Sequence, residues 1–245
     1  MTNTFDDYSL LLIVVSYLVS ALGAFTGLMI SRHIRTEEGE IRFGWLTLAA
    51  LVMGGCAIWA MHFIGMLAWR PEVALTYDTN LTALSLVLSI GFTMAGLYVV
   101  HRFHGTTAWL GAGLVMGLGV AAMHYTGMAA VRIAAEMSHD QALVAVSIGI
   151  AVAASIAALR IAVHWRGALR HASSLVMAFA VCGMHYTGMA AMRLQPSGSA
   201  PDYFSGALTR PVMSIAVTLA VVCVTMVAII SLFGRQLEEV PGSGV

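Results

Sequence analysis

Lysine is absent from this 245-residue chain, and all 12 of its basic residues are arginine. Charged residues make up only 10% of the sequence, against about a quarter in soluble domains. Hydrophobic residues reach 59% and mean hydropathy is +0.86, which points to an integral membrane protein. Acidic and basic residues cancel, leaving no basic face for nucleic acid. Cysteine is scarce. Cys56, Cys182 and Cys223 sit in apolar stretches without CxxC or CxxH spacing, so neither a disulfide framework nor a thiolate zinc site is expected. Also missing are HExxH, GxSxG, a P-loop and any pair of carboxylates inside an apolar segment, so no enzyme is expected. Asp6 and Asp7, not a basic region, precede the first apolar stretch, which reads as a retained membrane helix.

Long uncharged segments dominate. Seven run Tyr8–Ser31, Phe43–Trp69, Thr79–Val100, Gly105–Val131, Gln141–Leu159, Ala172–Met192 and Pro211–Gly234. Each can cross a bilayer core, which takes about 20 helical residues. Period-2 alternation is absent, which excludes a β-barrel. The expected fold is therefore all-α and polytopic, one seven-helix membrane domain over residues 1–235 with a short cytoplasmic tail at 236–245. Arginine in alternate loops sets orientation. Arg32, Arg35, Arg42, Arg102, Arg160, Arg166, Arg170 and Arg235 fall on one side, against Arg70, Arg132, Arg193 and Arg210 on the other. The richer side is expected in the cytoplasm of a bacterial inner membrane, with the N-terminus outside. Trp45, Trp69, Trp109, Trp165, Tyr77 and Tyr203 suit interfacial belts. The long connection Leu194–Arg210 is either a lid or a plain linker.

Three of these segments repeat a motif. Met123-His124-Tyr125-Thr126-Gly127-Met128 returns as Met184-His185-Tyr186-Thr187-Gly188-Met189, and more loosely as Met61-His62-Phe63-Ile64-Gly65-Met66. The histidines are spaced by 62 and 61 residues, so one two-helix unit is used three times, with a seventh helix outside the repeats. Because two helices restore the chain direction, the three histidines share one depth, near the outer ends of helices 2, 4 and 6. Arg70, Arg132 and Arg193 lie eight residues beyond them and read as snorkelling at helix C-termini.

A histidine within a membrane segment is costly and functional by default. His124 and Met128 are i and i+4, on one helix face, as are His62 with Met66 and His185 with Met189. Met61, Met123 and Met184 precede the histidines and point about 100° away, towards a neighbouring helix. Imidazole with thioether is a soft donor set that suits copper, especially Cu(I). Six residues are thus candidate metal ligands: Met61, His62, Met123, His124, Met184 and His185. Met66, Met128, Met189, Tyr125, Tyr186 and Cys182 are secondary candidates. The bland alternatives are core methionines, interfacial tyrosines, a core Cys182 and a hydrogen-bonded histidine cluster. Neither set of donors closes a site on one helix, so helices 2, 4 and 6 are expected to form an inner ring whose histidines converge, with helices 1, 3 and 5 towards lipid. Gly23-x-x-x-Gly27 and Gly113-x-x-x-Gly117 with Gly119 allow close helix approach; Gly127 and Gly188 read the same way, or as space beside a ligand.

The three motifs resemble those of the MHYT domain family, bacterial integral-membrane sensor modules named for the tetrapeptide, over nearly the whole chain. The resemblance implies seven helices and sensing of a diatomic gas (oxygen, carbon monoxide or nitric oxide) through copper held by the motif Met, His and Tyr. It also implies a cytoplasmic output. With so little chain after Arg235, that output is expected from a separate cytoplasmic signalling protein, or the chain is a fragment of a longer one. A copper-handling or redox membrane protein, binding copper or haem, is the alternative.

Overall fold

The computed structural model describes residues 7–71, 74–133, 135–164, 168–196 and 207–239. Among the described residues seven helices carry the chain: α1 (Leu10–Ser31), α2 (Phe43–Ala68), α3 (Thr79–Arg102), α4 (Thr106–Ala129), α5 (Gln141–His164), α6 (Ala168–Ala191) and α7 (Arg210–Glu239). All seven are long and apolar enough to cross a membrane. This is a multi-pass membrane protein. Helix α7 continues to Glu239, past the boundary drawn at 235. The segments at Trp165 and Tyr203, including most of the connection read as a lid, lie outside the described residues.

Helices α2, α4 and α6 form the interior. Helix α1 lies in the groove between α6 and α2, α3 between α2 and α4, and α5 between α4 and α6. Helix α7 packs on the outside of α2 and touches α1. The outward faces carry Leu18 and Leu22 on α1, Leu84 and Val87 on α3, Val146 on α5 and Ile215 and Ile230 on α7, all exposed. In lipid such faces carry no cost, so the driving force for assembly is close packing. The glycine pattern serves it. A methyl at Gly23 would meet the Ala57 backbone, and methyls at Gly113 and Gly117 would meet the backbone of Ile156 and Val152.

One stretch of α2, Leu51–Ala60, is wound as a π-helix. Neighbouring serines bond to its carbonyls: Ser20 Oγ donates to Ala57 O and Ser89 Oγ to Gly54 O, each at 2.7 Å. The segment ends where the first motif begins, and π-wound turns occur preferentially at functional sites.

At the motif end the three helix pairs are clasped alike. The N–H of the residue capping each outer helix donates to a carbonyl at the end of its inner partner. These bonds are Ser9 to Ala68 (2.8 Å), Asp78 to Ala130 (2.7 Å) and Asp140 to Ala191 (2.8 Å). Short strands cover this end: β1 (Leu75–Tyr77), β2 (Val131–Ile133), β3 (Ala135–His139), β4 (Met192–Pro196) and β5 (Leu208–Thr209). They pair antiparallel in the orders β2-β1-β5 and β3-β4.

Two expectations change here. The helices stop before the motif arginines, so Arg132 and Arg193 lie in β2 and β4 and do not extend from a helix into the headgroups. Instead they pair with the helix-capping aspartates, Arg132 with Asp78 at 3.1 Å and Arg193 with Asp140 at 2.7 Å. Arg132 also donates to Ala129 O at the end of α4, which keeps part of the helix-terminus role. Trp69 and Tyr77 do not sit in an interfacial belt. At 1% and 0% exposure they are buried at the motif end, Trp69 bridged to Tyr8 and Tyr77 held in β1 between β2 and β5 with its ring against Phe63.

Candidate metal centre

The three inner helices bring His62, His124 and His185 to one point on the bundle axis, each at 0% exposure. Their Nδ1 atoms form a near-equilateral triangle: 3.1 Å between His62 and His185, 3.1 Å between His124 and His62, and 3.3 Å between His185 and His124. The rings stand at 86–89° to one another, a three-bladed propeller. The centre of that triangle is about 1.8 Å from each nitrogen, and a shift of about 0.9 Å along the axis gives the 2.0–2.1 Å of a metal–imidazole bond. The three histidines can hold a metal ion.

Proton counting favours that use over a hydrogen-bonded cluster. A neutral imidazole has one N–H, and a nitrogen that carries it has no lone pair left to accept with. Three Nδ1 atoms therefore cannot close a ring of mutual hydrogen bonds. One N–H can serve at most the two facing lone pairs. The three Nε2 atoms are buried with no hydrogen-bond partner, with or without an ion at Nδ1, and so weigh on neither side. Each unsatisfied buried group costs about 1–3 kcal/mol, and a cation at the axis turns three converging lone pairs from a liability into a ligand set.

Glycine makes the convergence sterically feasible. A methyl at Gly127 would overlap the His62 ring at Nε2, a methyl at Gly188 would overlap His124, and one at Gly65 would overlap His185. Each motif glycine lies three residues after its own histidine and seats the histidine of a different repeat. Gly127 and Gly188 thus serve the close approach of neighbouring inner helices, with a histidine ring filling the space.

Three segments, residues 55–113, 117–174 and 179–238, match the MHYT family, described as "Bacterial signalling protein N terminal repeat". The chain belongs to the MHYT family. It is 39% identical over 247 residues to the "Bifunctional diguanylate cyclase/cyclic di-GMP phosphodiesterase MucR" of Pseudomonas aeruginosa, covering 95% of this chain and 35% of that protein. The "Cyclic di-GMP phosphodiesterase NbdA" of the same organism is 36% identical over 201 residues (78% of this chain, 25% of the relative). The "Signaling protein YkoW" of Bacillus subtilis is 31% identical over 238 residues (91% and 29%). The chain thus spans about a quarter to a third of the length of these relatives. No solved structure matches. Each matched segment starts within a motif helix and takes in the next outer helix, the first two ending early in the following motif helix, so α7 falls in the third. In space, α1 holds the place equivalent to α3 and α5.

The remaining MHYT residues divide by what they touch. Met61, Met123 and Met184 are fully buried, and Met66, Met128 and Met189 are at most 1% exposed. All six join the contiguous core around the triad. The tyrosines turn outwards. Tyr125 Oη meets Ser147 Oγ on α5, and Tyr186 Oη meets Ser16 Oγ on α1 at 3.1 Å. Those serine hydroxyls already donate to Val144 O and Ile13 O, so the phenols are the donors. In the first repeat, where Phe63 has no hydroxyl, Trp59 Nε1 donates to the equivalent Ser85 Oγ at 3.0 Å. One aromatic donor therefore pins each inner helix to an outer one, a role that reading the tetrapeptide alone misses. Its signal was a serine at matching positions of α1, α3 and α5. Cys182 is buried beside Tyr186 and Ile13 in the cleft between α6 and α1, away from the axis.

Proposed function

We propose that this chain is a non-enzymatic membrane sensor module that binds copper as Cu(I) between His62, His124 and His185 and responds to a diatomic gas. The triangle of Nδ1 atoms in a fully buried site carries the reading. The charge balance favours a monovalent ion. Among the described residues no carboxylate joins the histidines, so the buried charge equals the charge of the ion. The cost of burying charge rises with its square, which penalises zinc about fourfold more than Cu(I). Met61, Met123 and Met184 supply soft, polarizable surroundings, with Met66, Met128 and Met189 behind them. When bound, copper supplies an electron-rich centre for oxygen, carbon monoxide or nitric oxide. The histidines orient it, the motif glycines fix the histidines, and the roof of Trp69 and Tyr77 excludes water.

Relatives named for cyclic di-GMP turnover support a signalling output on the cytoplasmic side, through a separate signalling protein or a further domain. We place the motif end outside a bacterial inner membrane and the Arg-rich end in the cytoplasm. Labelling of Thr36→Cys by an impermeant reagent on intact cells would reverse that placement. A copper carrier would need further donors converging along the axis. Among the described residues the triad is the one cluster of His, Cys, Asp or Glu donors; the next layer inward is Met53, Met116 and Met177 around one cavity, with Met53 and Met116 packed against Gly27 on α1 and Gly96 on α3. Ring centroids only 4.9–5.2 Å apart leave no slot for haem. Metal analysis of detergent-purified protein tests the proposal: copper near one per chain is expected, and none after His62, His124 and His185 are all changed to Ala. Unchanged copper in that variant rejects the site.

A further inference from the structure

Inward of the triad the bundle is hollow. Ile58, Val120 and Val181 each precede a triad histidine by four residues, so they lie on the same helix faces, about 6 Å nearer the Arg-rich end. All three line a cavity of about 30 Å³, whose further wall includes Met53, Met116 and Met177. Alanines on α5, Ala151 and Ala158 among them, leave the space open. Among the described residues the polar side chains that line it are Ser155 and Ser173, and Ser173 has a partner of its own.

Size and chemistry together restrict what occupies such a space. A single water needs about 10–15 Å³ and two to four polar partners. The cavity offers the volume more than twice over and lacks the partners. Apolar walls of this kind favour apolar guests over water, held by dispersion contacts that an empty void forfeits. The opposite side of the triad is shut, with Phe63 and Tyr77 at 0% exposure and Trp69 at 1%.

We propose that this cavity is a binding site for a small, uncharged, apolar molecule of one or two heavy atoms, placed one helical turn beneath the histidines. It binds by shape and dispersion alone and does not depend on a metal in the triad.

Xenon is the probe, followed by crystallography under xenon pressure or by ¹²⁹Xe NMR on the whole chain, metal-free and copper-loaded. One xenon bound among Val120, Val181 and Ala151 is expected in both states. Ala151→Leu fills the space and should lose it, whereas Val181→Ala enlarges the space and should raise its occupancy. Ordered water in the cavity, no xenon there, or xenon signals indifferent to both substitutions overturns the proposal. Copper content measured on the same samples separates the outcomes: xenon without copper defeats the metal reading alone, and copper without xenon defeats this one alone.

Discussion

The Nε2 edge of the His62 imidazole lies against Gly127, in the space where any other residue would carry its Cβ. Because His124 and His185 are seated on Gly188 and Gly65 in the same way, the triad is held by a cyclic exchange between repeats. Gly127→Ala separates this from a general need for helix flexibility. Alanine is the better helix former by about 1 kcal/mol, so the helix itself gains while His62 is pushed off the axis. Metal affinity should fall about 10–100-fold, the range seen when a residue supporting a ligand is lost. Gly111→Ala, where a methyl meets nothing within 4 Å, should leave affinity unchanged. Equal affinities in the two variants, by competition with a chelator, would show that Gly127 does not position the histidine.

Tyr186→Phe reproduces in the third repeat what Phe63 already is in the first. The variant loses the hydrogen bond to Ser16, worth about 0.6 kcal/mol on average between membrane helices. A small fall in thermal stability with full metal content is therefore expected. Loss of metal in this variant would instead make the phenol a ligand.

The helices and the shared histidine site were legible because both follow from counting. Uncharged runs of membrane length, and a motif repeated at 62 and 61 residues, require seven spans and one depth. Phe63 in place of tyrosine argues against a phenol in every repeat, but the stand-in role of Trp59 requires knowing that residue 59 faces α3. The π-wound Leu51–Ala60 has no compositional sign; two of its carbonyls accept from Ser20 and Ser89 on neighbouring helices, contacts that sequence alone does not show. The arginines were misplaced because three-residue strands such as β2 are too short to show alternation, so the chain beyond each motif looked like more helix.

Acid should loosen the motif-end clasp. The Leu81 N–H donating to Asp78 at the start of α3, with the Arg132 guanidinium beside it, holds this carboxyl below the usual aspartate range. A depressed folded-state pKa gives stability that is full above the unfolded value, about 3.9, and is lost as pH falls through the folded one. Thermal stability should thus be flat from neutral pH down to about pH 4 and decline below it. Asp78→Asn keeps a capping oxygen but no titration, so its curve should show a shallower decline, that left by Asp140, whose carboxyl is held low in the same way. Asp78→Ala should cost about 1 kcal/mol at neutral pH, and Arg132→Gln less than about 1 kcal/mol, as for other partly exposed pairs. Parallel acid curves for wild type and Asp78→Asn would remove Asp78 from the clasp.

A change of sign distinguishes a metal site from a hydrogen-bonded core at the triad. Without metal, six buried imidazole nitrogens share three protons, and the Nε2 atoms have no partners. His124→Leu removes two of these nitrogens and leaves His62 and His185, whose Nδ1 atoms at 3.1 Å can form one ordinary N–H···N bond. The metal-free variant should therefore be as stable as wild type or more so, by up to about the 1–3 kcal/mol that an unsatisfied group costs. Saturating Cu(I) reverses the order. Wild type gains about 2.7 kcal/mol at a free concentration 100 times Kd, and a variant unable to bind gains nothing. Thermal unfolding in detergent, with and without Cu(I) under reducing conditions, reads both halves. A variant that is several kcal/mol weaker without metal, beside a wild type that Cu(I) does not stabilise, would make the triad a structural hydrogen-bond cluster.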